Sequence, residues 1–129
     1  MQAGMTEHEC FLLYTYSAAI WTKKVLERDR KRIEKAGLKF PRIYDDWIGS
    51  LERKNGEVLQ ELRHDMQQHG MKIWKLETEN SAVEAAYGCQ CRGYTYTCRI
   101  QLPVLRRNVE RHMRRLVLDQ ELALEQWEG

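Results

Sequence analysis

The sequence predicts an α+β fold of order ααβββα: an antiparallel helical hairpin, then a three-stranded antiparallel meander, then a C-terminal helix. Three observations carry this. From Val83 to Leu102 apolar residues fall at every second position on both sides of Arg92-Gly93, which is the period of a strand. Before Gly70 and after Pro103 the apolar spacing is three and four, which is the period of a helix. The blocks are joined by short connections such as Gly37–Phe40 and Arg92-Gly93, so consecutive elements are expected to be neighbours in space. A chain of 129 residues suits one domain, divided into a hairpin over 6–69, a sheet over 71–102 and a last helix over 103–127.

Thr6 opens the first helix, and Glu9 three residues later completes a capping-box pattern. Phe11, Leu13, Tyr16, Ala19, Ile20 and Leu26 carry the helix to about Ala36, where Gly37 followed by Leu38 forms a left-handed stop. Pro41 stands at a natural first-turn position for the second helix. Its stripe is Tyr44, Trp47, Ile48, Leu51, Val58, Leu59, Leu62 and Met66, and His69-Gly70 ends it.

After Gly70 the period changes from 3.6 to 2. Trp74 and Leu76 alternate with Lys75 and Glu77, so a turn near Glu79-Asn80 would set Leu76 opposite Val83 and Trp74 opposite Ala85. A two-residue loop at Arg92-Gly93 would pair Cys91 with Tyr94, Cys89 with Tyr96, Tyr87 with Cys98, Ala85 with Ile100 and Val83 with Leu102. Every pair is apolar on one face, and a slip of one residue would spoil all of them. Tyr87, Tyr94 and Tyr96 are therefore expected in the core rather than as stacking platforms for bases. The last helix follows Pro103 with a stripe of Leu105, Val109, Met113, Leu116, Ala123 and Trp127.

Composition excludes several classes. Hydrophobic residues at 43% and four tryptophans indicate a folded globule rather than a disordered chain. No run of about 18 apolar residues occurs, so no transmembrane helix is expected. The first ten residues place acids where a signal peptide has lysines, and a reduced, cytoplasmic protein is expected. The four cysteines do not demand disulfides, because three of them are apolar members of the strand pattern. A zinc site on Cys89, Cys91 and Cys98 is not expected: residues two apart on a strand are separated by roughly 6.6–6.8 Å, whereas sulfurs around zinc must lie within about 4 Å. There is no glycine-rich phosphate loop, no Gly-x-Ser-x-Gly and no His-Glu-x-x-His. The expectation is a protein that is not an enzyme, with no metal and no cofactor.

Charge supplies the functional lead. From Pro103 to Leu118 there are five arginines and one acid, a local charge of +4, whereas Asp119–Gly129 carries four acids and no base, a local charge of −4. The helix dipole favours the reverse order. At 100° per residue Arg107, Arg111, Arg114 and Arg115 project together opposite the apolar stripe, with Arg106 at their flank and Arg99 on the neighbouring strand. All five helix cations are arginine, whose planar fork suits phosphate and carboxylate. A second basic run lies at Arg28, Arg30, Lys31, Arg32, Lys35, Lys39 and Arg42, where ordinary helix-end chemistry is the better account. His112 is expected to pack at the edge of the stripe. His64, Asp65 and His69 gather at the end of the second helix, where histidine is favourable anyway.

Two functional expectations follow. The first is a regulatory or accessory protein gripping nucleic-acid backbone through Arg99, Arg106, Arg107, Arg111, Arg114 and Arg115, with little sequence preference. The alternative is a protein-interaction module, an inhibitor or adaptor. It would dock or dimerise through surplus apolar surface around Tyr14, Trp21 and Trp47, with its arginines meeting an acidic protein. The acidic C-terminal segment would, on either reading, be placed to fold back over the arginines. The helix–meander–helix order is similar to that of double-stranded-RNA-binding domains, with Arg106 and Arg107 near that family's basic helix start. The family's glycine-rich approach is absent and Pro103 stands in its place, so the resemblance stops at element order.

Overall fold

The computed structural model describes residues 4–77 and 82–118. Its elements are α1 (Glu7–Lys35), α2 (Pro41–Gln68), β1 (Lys72–Lys75), β2 (Glu84–Cys91), β3 (Tyr94–Gln101) and α3 (Leu102–Leu118), the ααβββα order that the periodicities predict. The strands form one antiparallel sheet in the order β1-β2-β3. Residues 119–127, expected to continue the last helix, lie outside the described residues.

The helix ends are built as their residues require. The Thr6 hydroxyl accepts from the Glu9 amide at 3.1 Å, and the Glu9 carboxylate accepts from the Thr6 amide at 2.8 Å, so two otherwise orphaned donors are satisfied reciprocally. At the end of α2, Gly70 takes φ +60. Its amide donates to the Gln67 carbonyl at 3.1 Å, and the Met71 amide donates to the Met66 carbonyl at 2.8 Å. This is the Schellman arrangement, and the two methionines that accompany it are both buried.

β2 and β3 pair in the expected register: Cys91 with Tyr94, Cys89 with Tyr96, Tyr87 with Cys98 and Ala85 with Ile100. Positive φ at both Arg92 and Gly93 identifies the type I′ turn, whose twist matches that of the strands. Val83 and Leu102 still meet through a backbone hydrogen bond of 2.9 Å, although Val83 lies outside the strand with an exposed side chain. Tyr87 is in the core as expected, while Tyr96 is half-buried and Tyr94 is exposed at the turn.

β1 corrects the expected register. Trp74 stands opposite Gly88 rather than Ala85, Ile73 opposite Cys89 and Lys75 opposite Tyr87. The shift is odd, so it exchanges faces: Ile73 joins the core cluster and Trp74 lies on the outer face. The cause is Gly88. A Cβ there would overlap the Trp74 indole, so the only strand position of β2 without a side chain seats the ring.

The main core lies between α1 and the sheet. Leu12, Leu13 and Cys10 of α1 cluster with Tyr87, Cys89, Cys98 and Ile100, and Leu59, Leu62 and Leu105 close it from α2 and α3. A second cluster of Leu26, Ile48, Leu51 and Leu116 sits farther along the hairpin. Beyond it no residue from 27 to 47 is buried.

Candidate functional site

The arginines of α3 do not share one exposed face. Arg106, Arg107 and Arg114 are exposed, Arg111 is partly buried, and Arg115 is only 8% exposed. This corrects the expected projection of Arg115 into solvent. The buried face of the helix is Leu105, Asn108, Val109, His112, Arg115 and Leu116: it keeps Leu105, Val109 and Leu116 of the expected stripe and is rotated toward Asn108, His112 and Arg115. Met113 is consequently half-buried, and Val117 and Leu118 are exposed. Of the exposed cations, Arg114 donates to Glu110 at 3.0 Å and Arg99 lies 3.7 Å from Glu84. Such exposed pairs are weak and exchangeable.

A polar contact between helices turns α3 in this way. The buried Asn55 amide donates to the Ala19 carbonyl at 3.0 Å, which leaves its Oδ1 as an acceptor facing His112 Nε2 at 2.7 Å. His112 must therefore be the Nε2–H donor, and one chain of bonds joins α1, α2 and α3. Burial, with Arg115 nearby, pushes the His112 pKa down from 6.5 to about 4. His112 is thus a packed histidine, as its place at the stripe's edge implies. Its Nδ1, the Thr15 hydroxyl and the Asn108 amide have no hydrogen-bond partner among the described residues and border a cavity of about 10 Å³, the room one water molecule needs.

The turn of α3 leaves an apolar groove of about 600 Å³ beside α1, lined by Trp21, Val25, Val109, Met113 and Val117 and bordered by Arg106. The acidic segment expected to fold over the arginines lies outside the described residues.

Among the described residues, five of the ten exposed large hydrophobic side chains lie at the end of the helical hairpin. Leu38, Phe40, Ile43, Tyr44 and Trp47 are all exposed, with Ile43 at 64% and Trp47 at 50%. Tyr44 and Trp47 were expected on the stripe of α2 that packs into the core. They do not reach it, because from Glu27 to Lys35 the facing helix offers Ile33 as its one apolar side chain. Exposed Lys31, Arg32, Lys35, Lys39 and Arg42 lie in the same segment, with exposed Glu34, Asp45 and Asp46 among them; Arg32 is 3.7 Å from Asp29, and the Lys39 ammonium lies 5.8 Å from the Phe40 ring centroid. Arg30 is held apart from this set by Asp45 at 3.1 Å and Glu52 at 2.7 Å. Contiguous apolar surface of this kind marks contact sites in folded proteins.

The cysteines behave as buried apolar residues. All four are free and buried, and burial pushes the Cys89 and Cys91 thiols up and Cys98 to about 11. The spacing argument against a sulfur cluster needs correction, since Cys89 and Cys91 Sγ are 3.3 Å apart. Side chains on one strand face can lean together although their Cα atoms are far apart.

Fold and surface together define a small α+β protein whose helical hairpin carries an apolar, basic end beyond its core. Residues 5–121 match the model of a family described as YhjD protein, and the chain belongs to that family. No curated protein and no solved structure matches it. No helix among the described residues is long and apolar enough to cross a membrane.

Proposed function

We propose that this chain is a non-catalytic protein-interaction module, of the adaptor or inhibitor type, that docks through the end of its helical hairpin. The observation that carries the reading is the run from 27 to 47, which has no buried residue yet presents Leu38, Phe40, Ile43, Tyr44 and Trp47. Aromatic anchors at the centre, arginine among their neighbours and a polar rim are the usual composition of an interface. The partner is a protein surface with an apolar depression and an acidic rim. The cytoplasm is the proposed location, on the strength of four free, buried thiols.

The test is a variant with Phe40, Ile43 and Trp47 all changed to serine, compared with the wild type by affinity copurification from the native host and by sedimentation. The reading predicts an unchanged fold and loss of the copurifying protein. An identical set of copurifying proteins in variant and wild type contradicts it.

Nucleic-acid binding is the second reading, supported by the exposure of Arg106, Arg107 and Arg114 along one side of α3. Burial of Arg115 weakens it. Anisotropy of labelled oligonucleotides against salt tests it: binding that falls steeply with salt and flattens when these three arginines become alanine would favour this reading over the first.

A further inference from the structure

We propose that His8, Asp65 and His69 form a binding site for a first-row divalent metal ion of the zinc class, tying the start of α1 to the end of α2. Asp65 and His69 are one helical turn apart on the last turns of α2, and His8 reaches them from the first turn of α1. His8 Nε2 lies 3.1 Å from Asp65 Oδ2, and His69 Nδ1 lies 3.0 Å from Asp65 Oδ1. The three donor atoms all fall within 4.8 Å of one another. Metal–nitrogen and metal–oxygen bonds of about 2.0–2.2 Å in a tetrahedron place donors roughly 3.3–3.5 Å apart. The two short distances run to different oxygens of Asp65, and His69 Nδ1 also meets the Asp65 backbone carbonyl at 2.9 Å, so an ion entering the site displaces these hydrogen bonds and draws the two imidazoles onto the carboxylate.

The frame around these donors is held in place. The capping box fixes the backbone beside His8, and the Schellman arrangement at Gly70 and Met71 fixes the turn that carries His69. The rings of His8 and His69 have centroids 4.8 Å apart, and both imidazoles meet the Asp65 carboxylate. All three side chains are partly open to solvent, which leaves the remaining coordination positions to water. Two imidazoles and one carboxylate select zinc, cobalt, nickel or copper over magnesium and calcium, which take oxygen ligands. The site joins residues 57 positions apart in sequence, so an ion there stabilises the hairpin against opening at the end opposite its exposed tip.

The experiment uses the full chain stripped with chelator and titrated with Co²⁺ and Zn²⁺. The expected results are a Co²⁺ visible spectrum of nitrogen and oxygen ligation without a thiolate charge-transfer band, and a rise in Tm with Zn²⁺ that chelator reverses and Mg²⁺ does not reproduce. His8→Ala and His69→Ala should each weaken binding at least about 100-fold, more than the loss of an outer-shell partner. Asp65→Asn, which keeps the side-chain volume, should do the same. His64→Ala, on the same helix but outside the donor set, should leave affinity unchanged. Absence of a Co²⁺ spectrum, a thiolate band, or full affinity in the His8 and His69 variants would overturn the proposal.

Discussion

The carboxylate of Glu9 is gripped by both arms of the Arg92 guanidinium, Nε on Oε2 and Nη2 on Oε1, each at 3.0 Å. Glu9 is also the residue that caps the α1 N-terminus, and Arg92 is the first residue of the β2–β3 turn, so one pair ties the helix start to the hairpin. Arg92 donates further to the Gly4 carbonyl at 2.7 Å. Its φ of +52 is unusual for a residue with a side chain, and this forked contact is what arginine provides there that asparagine or glycine would not. Arg92→Ala should lower Tm and Arg92→Lys should recover only part of the loss, because an ammonium cannot make both parallel bonds. Thermal melts of the three proteins check this, and a lysine variant equal to wild type would contradict it.

The same pair sets an acid dependence. Arg92 and the Thr6 amide hold the Glu9 carboxyl below its ordinary 4.5. A depressed carboxylate contributes stability above its unfolded pKa and loses it as pH falls through the folded value. The Glu9 contribution is therefore complete above about 4.5 and disappears only below it. Denaturation midpoints of wild type and Glu9→Gln should converge as pH is taken below that point.

His112 acts in a higher window. Its folded pKa of about 4 lies below the ordinary 6.5, so the unfolded chain takes up a proton first as pH falls. Stability is intact above about 6.5 and declines as pH drops toward about 4, by roughly 3 kcal/mol in all at 1.36 kcal/mol per unit. His112→Gln should flatten this part of a denaturant-midpoint profile. Asn55→Ala, which leaves His112 Nε2–H and the Ala19 carbonyl without their partner, should cost about 1–3 kcal/mol at neutral pH.

Gly88 makes room for Trp74. Gly88→Ala should destabilise by about 1–3 kcal/mol, the usual cost of overpacking, and much of it should return in the double variant with Trp74→Ala. A double-mutant cycle in urea measures the coupling, and strict additivity would contradict the close approach.

These cases show where the sequence is legible and where it is not. The β2–β3 register is readable because apolar alternation continues in phase across a two-residue turn, so one pairing satisfies every position. β1 is short, and Ile73, Trp74 and Leu76 support either phase. The choice depends on the missing side chain of Gly88 across the sheet, which periodicity within β1 does not contain. The stripe of α3 misplaces Arg115 because hydrophobic periodicity assumes an apolar partner, whereas His112 packs on Asn55 from another helix. The exposed hairpin end had a readable sign in the run from Glu27 to Lys35, where α1 has almost nothing apolar to meet Tyr44 and Trp47. The approach of His8 to Asp65 and His69 depends on how the two helices are aligned, and residue types alone do not supply that alignment.

The hairpin end should also be dispensable for folding. Phe40, Ile43 and Trp47 are at least half exposed, so each serine should cost about 1 kcal/mol or less, below the roughly 2–5 kcal/mol of truncating a core side chain. Chemical denaturation of the triple variant checks this, and a loss of several kcal/mol would show that the patch is part of the core.

In-cell photo-crosslinking reports what touches the hairpin end proposed as the docking surface. A photoreactive residue is placed at Ile43 in one protein and at Arg107 in another, in the native host. The account predicts a discrete protein adduct from position 43 and none of comparable yield from position 107. No protein adduct at position 43, together with nucleic-acid adducts at position 107, would contradict it and move the functional surface to α3.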